Sequence, residues 1–161
     1  MKKKHIIIII LAVLVLAGLF TIYKLPVKDS EAIDLDSDVS IVISSTGLQY
    51  IDGKAYPKID TKMYSVKKDS EQHKKIKEII GNTKLYRKKE SSVNRISPGG
   101  ASVYIDLMFE GVTVTFREDG FILIDDKYYG TSRFGKGDND IYTTLSEYIQ
   151  THCTAICINN S

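Results

Sequence analysis

Tryptophan is absent from this 161-residue chain, and histidine (three), proline (three) and cysteine (two) are sparse. A structural zinc site takes four ligands, and the one local cluster, His152, Cys153 and Cys157, offers three, so neither metal nor cofactor is expected. The regular acidic spacing of a calcium-binding EF-hand loop is missing. A serine-x-x-lysine (Ser65 to Lys68) and a serine-x-asparagine (Ser92 to Asn94) occur, but the Lys-Thr-Gly that completes a penicillin-recognising enzyme does not. Internal repeats are lacking too. The net charge of +2 conceals an uneven distribution: residues 29–53 carry six acids and no base, residues 54–95 thirteen Lys or Arg against five acids, and residues 96–161 four against nine. Such bipolarity fits either an anionic partner for the middle segment or pairing between segments of one chain, and nothing in it points to nucleic acid.

What is present begins with Lys2, Lys3 and Lys4, followed by an uncharged, predominantly apolar run from Ile6 to Tyr23. As a helix this run would match the ~30 Å hydrocarbon core of a bilayer. Lysines lead it and acids follow it closely, so the positive-inside rule places the N-terminus in the cytoplasm and the remainder outside. Tyr23 stands where an interfacial aromatic belongs, and Pro26 stops the helix. A cleaved signal peptide is the rival reading, but the run is long for one and no small-x-small site directly follows it. Leu16-Ala17-Gly18 is followed by Leu19 where a lipoprotein would need cysteine. The expected organisation is a transmembrane signal anchor over residues 1–25, an acidic spacer over 26–38, an extracytoplasmic domain over 39–152 and a tail over 153–161.

The domain reads as α+β: a small antiparallel sheet with two helices behind the single transmembrane helix. Alternation predicts strands over residues 40–45 and 48–51, a tight turn at Asp52-Gly53 and a third strand over 63–66. Asp69 with Gln72 forms a capping-box start for a helix that ends at Gly81 and turns His73, Ile76, Ile79 and Ile80 to one face. After a polar loop broken by residues 97–100, an antiparallel meander is expected: Val103, Ile105, Leu107 and Phe109, then Val112, Val114 and Phe116, then residues 121–124 and 127–130. A closing helix over about 139–152, with Asp138 as candidate cap, places Ile141, Leu145, Tyr148 and Ile149 on one face.

Candidate sites are few. The acids Asp106, Glu110, Glu118, Asp119, Asp125, Asp126, Asp138 and Asp140 could suggest paired carboxylates or a calcium site, but most sit in turns: turn chemistry and solvation explain Glu110, Asp119, Asp125 and Asp126, and capping explains Asp138. Three readings of Cys153 and Cys157 stand: a disulfide, two free thiols, or part of a metal site with His152. Tyrosine, ten residues of it, suits both strands and binding surfaces. The clearest candidate surface is basic: Lys67, Lys68, Lys74, Lys75, Lys77, Lys84, Arg87, Lys88 and Lys89, suited to lipid headgroups or an acidic envelope polymer.

The lysine start, the apolar anchor and the run Phe121-Ile122-Leu123-Ile124-Asp125-Asp126-Lys127-Tyr128-Tyr129-Gly130 before a closing helix resemble a family of uncharacterised domains in small membrane-anchored proteins of Firmicutes. Twenty-two isoleucines and eighteen lysines against four arginines accord with a bacterium of AT-rich genome. The resemblance implies membrane anchoring and no catalytic motif. The expectation is thus a membrane-anchored binding or sensing module without catalysis. The alternatives are a surface immunity or inhibitor protein with a protein partner, or a small envelope hydrolase.

Overall fold

The computed structural model describes residues 3–23, 26, 33, 35–89, 102–133 and 139–156. An N-terminal helix, α1 (Lys3–Tyr23), precedes the domain. The domain is α+β, and its described residues form eight strands: β1 (Val39–Ile51), β2 (Lys54–Val66), β3 (Tyr86–Arg87), β4 (Ser102–Phe109), β5 (Val112–Arg117), β6 (Phe121–Ile124), β7 (Lys127–Gly130) and β8 (Ala155–Ile156). Two further helices interrupt them, α2 (Glu71–Gly81) between β2 and β3, and α3 (Asp140–His152) before β8.

All strands join one sheet in the order β3-β7-β6-β5-β4-β1-β2-β8, with antiparallel pairing throughout. The meander forms as its alternation predicts. Ile105 and Leu107 of β4, Val114 and Phe116 of β5, and Ile122 and Ile124 of β6 are buried on one face, and α2 and α3 cover that face with Ile76, Ile80, Ile141, Leu145 and Ile149. Its turns follow local chemistry. Asp125 and Asp126 both take positive φ (44° and 63°) between β6 and β7, as Asp52 and Gly53 do (50° and 76°) between β1 and β2. Paired left-handed residues match the right-handed twist of a two-residue hairpin, and Asp tolerates the conformation through its short polar side chain.

The strand bounds and the helix caps differ from expectation. The two short strands expected over 40–51 are one strand of 13 residues, and the strand expected over 63–66 begins at Lys54. The ladder runs without a break through Gly47 and Pro57, because β1 and β2 support each other from Val39↔Val66 to Ile51↔Lys54. The cap of α2 is Ser70, one residue later than expected: its Oγ accepts the His73 N–H at 3.2 Å, while Asp69 sits at φ 62°. Asn139 occupies the cap position of α3 without a side-chain cap bond, and the expected cap, Asp138, lies outside the described residues. The acidic spacer, finally, does not stay apart from the fold. Ile33 is buried in the core, Glu110 N–H donates to Ser37 Oγ (2.8 Å), and Lys68 N–H donates to Asp38 Oδ1 (2.7 Å). The tail likewise begins as part of the sheet, with β8 pairing to Met63 and Tyr64.

Among the described residues no helix is long and apolar enough to cross a membrane. The expected span is therefore not shown.

Candidate functional site

The basic residues do not converge. Lys67 and Lys68 stand between β2 and α2, near one end of the sheet, whereas Arg87 lies on β3 at the opposite end. Helix α2 joins the two, carrying exposed Lys74 and Lys75 and half-buried Lys77 across the helical layer. Part of this charge is answered within the chain. Lys77 Nζ lies 2.6 Å from Asp36 Oδ1, and Lys75 Nζ lies 2.9 Å from Glu78 Oε2. Lys88 is turned inward: its Nζ donates to the Ser132 carbonyl at 2.6 Å and its N–H to the Tyr128 carbonyl at 2.8 Å. Lys67, Lys74, Lys84 and Arg87 are exposed and make no ion pair among the described residues, and Lys89 is exposed as well. The opposing acids draw consequences in turn. The hydrogen bond from Lys77, then the charges of Lys77 and Lys68, hold the Asp36 carboxyl below the usual carboxylate range.

A shallow cleft of about 300 Å³ opens where β2, the start of α2 and the end of α3 meet, lined by Ser65, Lys67, Ser70, Gln72, His152 and Cys153 among others. Its chemistry is quiet. Burial pushes the half-buried Cys153 thiol upward, which keeps it protonated and weakly nucleophilic. His152 stacks on Tyr148 with ring centroids 4.6 Å apart, and its Nδ1 lies 3.2 Å from the Tyr148 carbonyl. His73 is wholly buried below, its Nδ1 accepting the Asp69 N–H at 3.3 Å and its Nε2 without a partner. Cys153 is a free cysteine, and its expected disulfide partner Cys157 lies outside the described residues. No three His, Cys, Asp or Glu among the described residues gather as metal ligands.

Glu110, Glu118, Asp119, Asp125 and Asp126 sit in or beside turns, whereas Asp106 lies within β4, Asp140 opens α3 and Asp138 lies outside the described residues. Arg117 pairs with Asp119, whose carboxylate also accepts the Phe121 N–H, and Thr115 Oγ1 donates to Asp106 Oδ1 at 2.6 Å. Asp125 and Asp126 border a second depression, about 520 Å³, that also touches Phe109, Thr113, Thr115 and Leu123. Of the serine motifs, Ser65 and Lys68 lie at the exposed end of β2 and just after it, and residues 92–94 lie outside the described residues.

Sequence reading missed the most exposed apolar surface of the domain. Among the described residues β4 pairs with β1 as far as Thr46 and β8 pairs with Met63 and Tyr64 of β2, so the outer half of the β1–β2 hairpin, from Gly47 to Lys62, has no described strand beside it. On this half Leu48, Tyr50, Ile51, Tyr56 and Ile59 are exposed. The available signal was mirror symmetry about Asp52-Gly53: Leu48 and Tyr50 before the turn answer Ala55, Pro57 and Ile59 after it. Compared with models of protein families, with curated proteins and with solved structures, the chain matches none.

Proposed function

We infer that the protein is a membrane-anchored binding module: α1 is the anchor, and the domain is displayed on the extracytoplasmic side. The observation that carries this reading is the environment of α1. Its described apolar side chains, among them Ile7, Ile8, Leu11, Leu14, Leu16 and Phe20, are exposed around the whole helix. A helix apolar on every side has no polar face to turn to water, so it needs an apolar medium. In sequence Ile6, Ile22 and Tyr23 extend the run, and the 21 residues of the whole helix rise about 30 Å. Lysines at its start favour a cytoplasmic N-terminus. On the far side the unpaired cations Lys67, Lys74 and Lys84 fit an anionic envelope polymer as partner.

A reporter active only outside the cytoplasm, fused after Ser161, is expected to be active and to stay with the membrane through alkaline extraction. A stably expressed but inactive fusion overturns the orientation, and release by alkali overturns the anchor. The electrostatic part is tested by retention of the chain on an anionic wall polymer at low salt. Equal retention of the Lys67→Glu, Lys74→Glu, Lys84→Glu triple variant sinks it.

A further inference from the structure

The β1–β2 hairpin is two-faced. Residues paired across it share a face, and the face turned away from α2 and α3 carries Thr46 with Ile59, Leu48 with Pro57 and Tyr50 with Ala55. Ile59 is 67 %, Leu48 53 % and Tyr50 72 % exposed, so this apolar stripe is uncovered. The opposite face carries Gln49 with Tyr56, Gly47 with Lys58, Ile51 with Lys54 and, closer to the sheet, Ile43 with Lys62. Lys58 Nζ is 2.9 Å from Asp60 Oδ2, both side chains being more than half exposed. A two-stranded ribbon with large apolar groups in water is marginal unless something covers it.

We propose that the apolar face of this hairpin docks into the interfacial layer of a lipid bilayer, the same one that holds α1; the proposal rests on the anchored reading above. Three observations favour lipid over a protein. Among the described residues the outer part of β2 has no strand partner but β1, and it carries Lys54, Lys58 and Lys62 and contains Pro57, features that discourage the addition of a further strand. The stripe offers three large side chains, well short of the ~800 Å² per partner of a stable protein interface. Insertion has no such minimum here, because the tether already holds the hairpin beside the surface. Only nine residues, 24–32, separate α1 from buried Ile33, a reach of about 30 Å at most.

The geometry also sets the pose. The tether enters at the Val39 end of β1, and the hairpin tip lies at the Ile51 end. Contact therefore requires the sheet to lie along the bilayer with its helices facing away. In that pose the stripe enters the headgroup layer, while Lys54 and Lys58, on the opposite face, stay in water. Tyr50, on the docking face, has the apolar ring and polar tip that interfaces favour.

The lack of native tryptophan makes each introduced tryptophan a sole reporter. Tyr50→Trp on the docking face, Tyr56→Trp on the opposite face and Leu14→Trp in α1 are each made in the full chain and reconstituted in phosphatidylcholine–phosphatidylglycerol bilayers. Lipids brominated on the acyl chain should quench Leu14→Trp strongly, Tyr50→Trp at least ~2-fold, and Tyr56→Trp less than Tyr50→Trp. Adding Leu48→Ser and Ile59→Ser to Tyr50→Trp should abolish its quenching, with the melting profile retained. If Leu14→Trp is quenched while Tyr50→Trp remains open to aqueous iodide, docking is overturned and the anchor stands. If Tyr50→Trp is shielded from both iodide and brominated lipid, a protein covers the face and the lipid assignment is overturned. An unquenched Leu14→Trp overturns the anchor and the docking together.

Discussion

Lys77, midway along α2, reaches Asp36 across 41 positions of chain, with Nζ 2.6 Å from Oδ1. This contact ties the acidic segment before β1 to the helical layer and leaves the Asp36 carboxyl more acidic than its ordinary 3.8, through the Lys77 hydrogen bond first and the Lys77 and Lys68 charges next. A carboxyl with a folded pKa below its unfolded one adds stability that is complete above the unfolded value and disappears as pH falls through the folded value. Asp36→Asn should therefore lower the melting temperature slightly at neutral pH, and the gap to the parent should close as pH drops below 3.8. Both partners are exposed, so high salt should narrow the gap as well. A gap that persists in strong acid would assign the effect to something other than this carboxylate.

The same segment sets where the folded unit begins. A chain starting at residue 33 retains buried Ile33 and the bonds of Ser37 and Asp38, whereas one starting at residue 39 loses all of them. The first should unfold cooperatively in urea. The second should lose about 2 to 4 kcal/mol, combining one buried isoleucine with two hydrogen bonds. Identical urea midpoints would show that the contacts of residues 33–38 contribute nothing.

Cys153 provides a test of the quiet cleft. Because burial raises its thiol, a Cys157→Ala chain should react with a disulfide reagent at neutral pH at least ~10-fold more slowly than a small free thiol. Its rate should rise with pH to a midpoint above 9.0, and unfolding should abolish the delay. Fast labelling of the folded chain at neutral pH would reveal an activated cysteine and restore the case for chemistry beside His152.

The meander was legible because one face is buried and the other is not: Ile105, Leu107, Val114 and Phe116 alternate with Asp106, Thr113 and Thr115. The same asymmetry betrayed α2 through Ile76 and Ile80. The outer half of the β1–β2 hairpin has neither face in a core, so its apolar residues follow a ribbon's geometry without a buried reference, and Gly47 and Pro57 disguise its continuity. Ile33 was hidden for the opposite reason, a single apolar anchor amid Asp29, Glu31, Asp34 and Asp36. The dispersal of the basic residues was beyond reach, since spacing along the chain does not tell that β2 and β3 stand near opposite ends of one sheet.

That sheet order bears on how the chain is assembled as it emerges. Synthesis delivers β1, β2, α2 and β3 first, yet of these only β1 and β2 are partners of each other. Strand β3 must wait for Gly130 and Tyr129, more than 40 residues later, and β1 must wait for β4. Until the meander arrives and inserts between them, the early half has an open gap in its centre. Local hairpins close quickly, but this insertion cannot be completed before nearly the whole chain has left the ribosome. The interval leaves Ile41, Ile43, Ile76 and Ile80 uncovered, and it makes the growing chain a substrate for whatever holds unfinished apolar segments apart during synthesis.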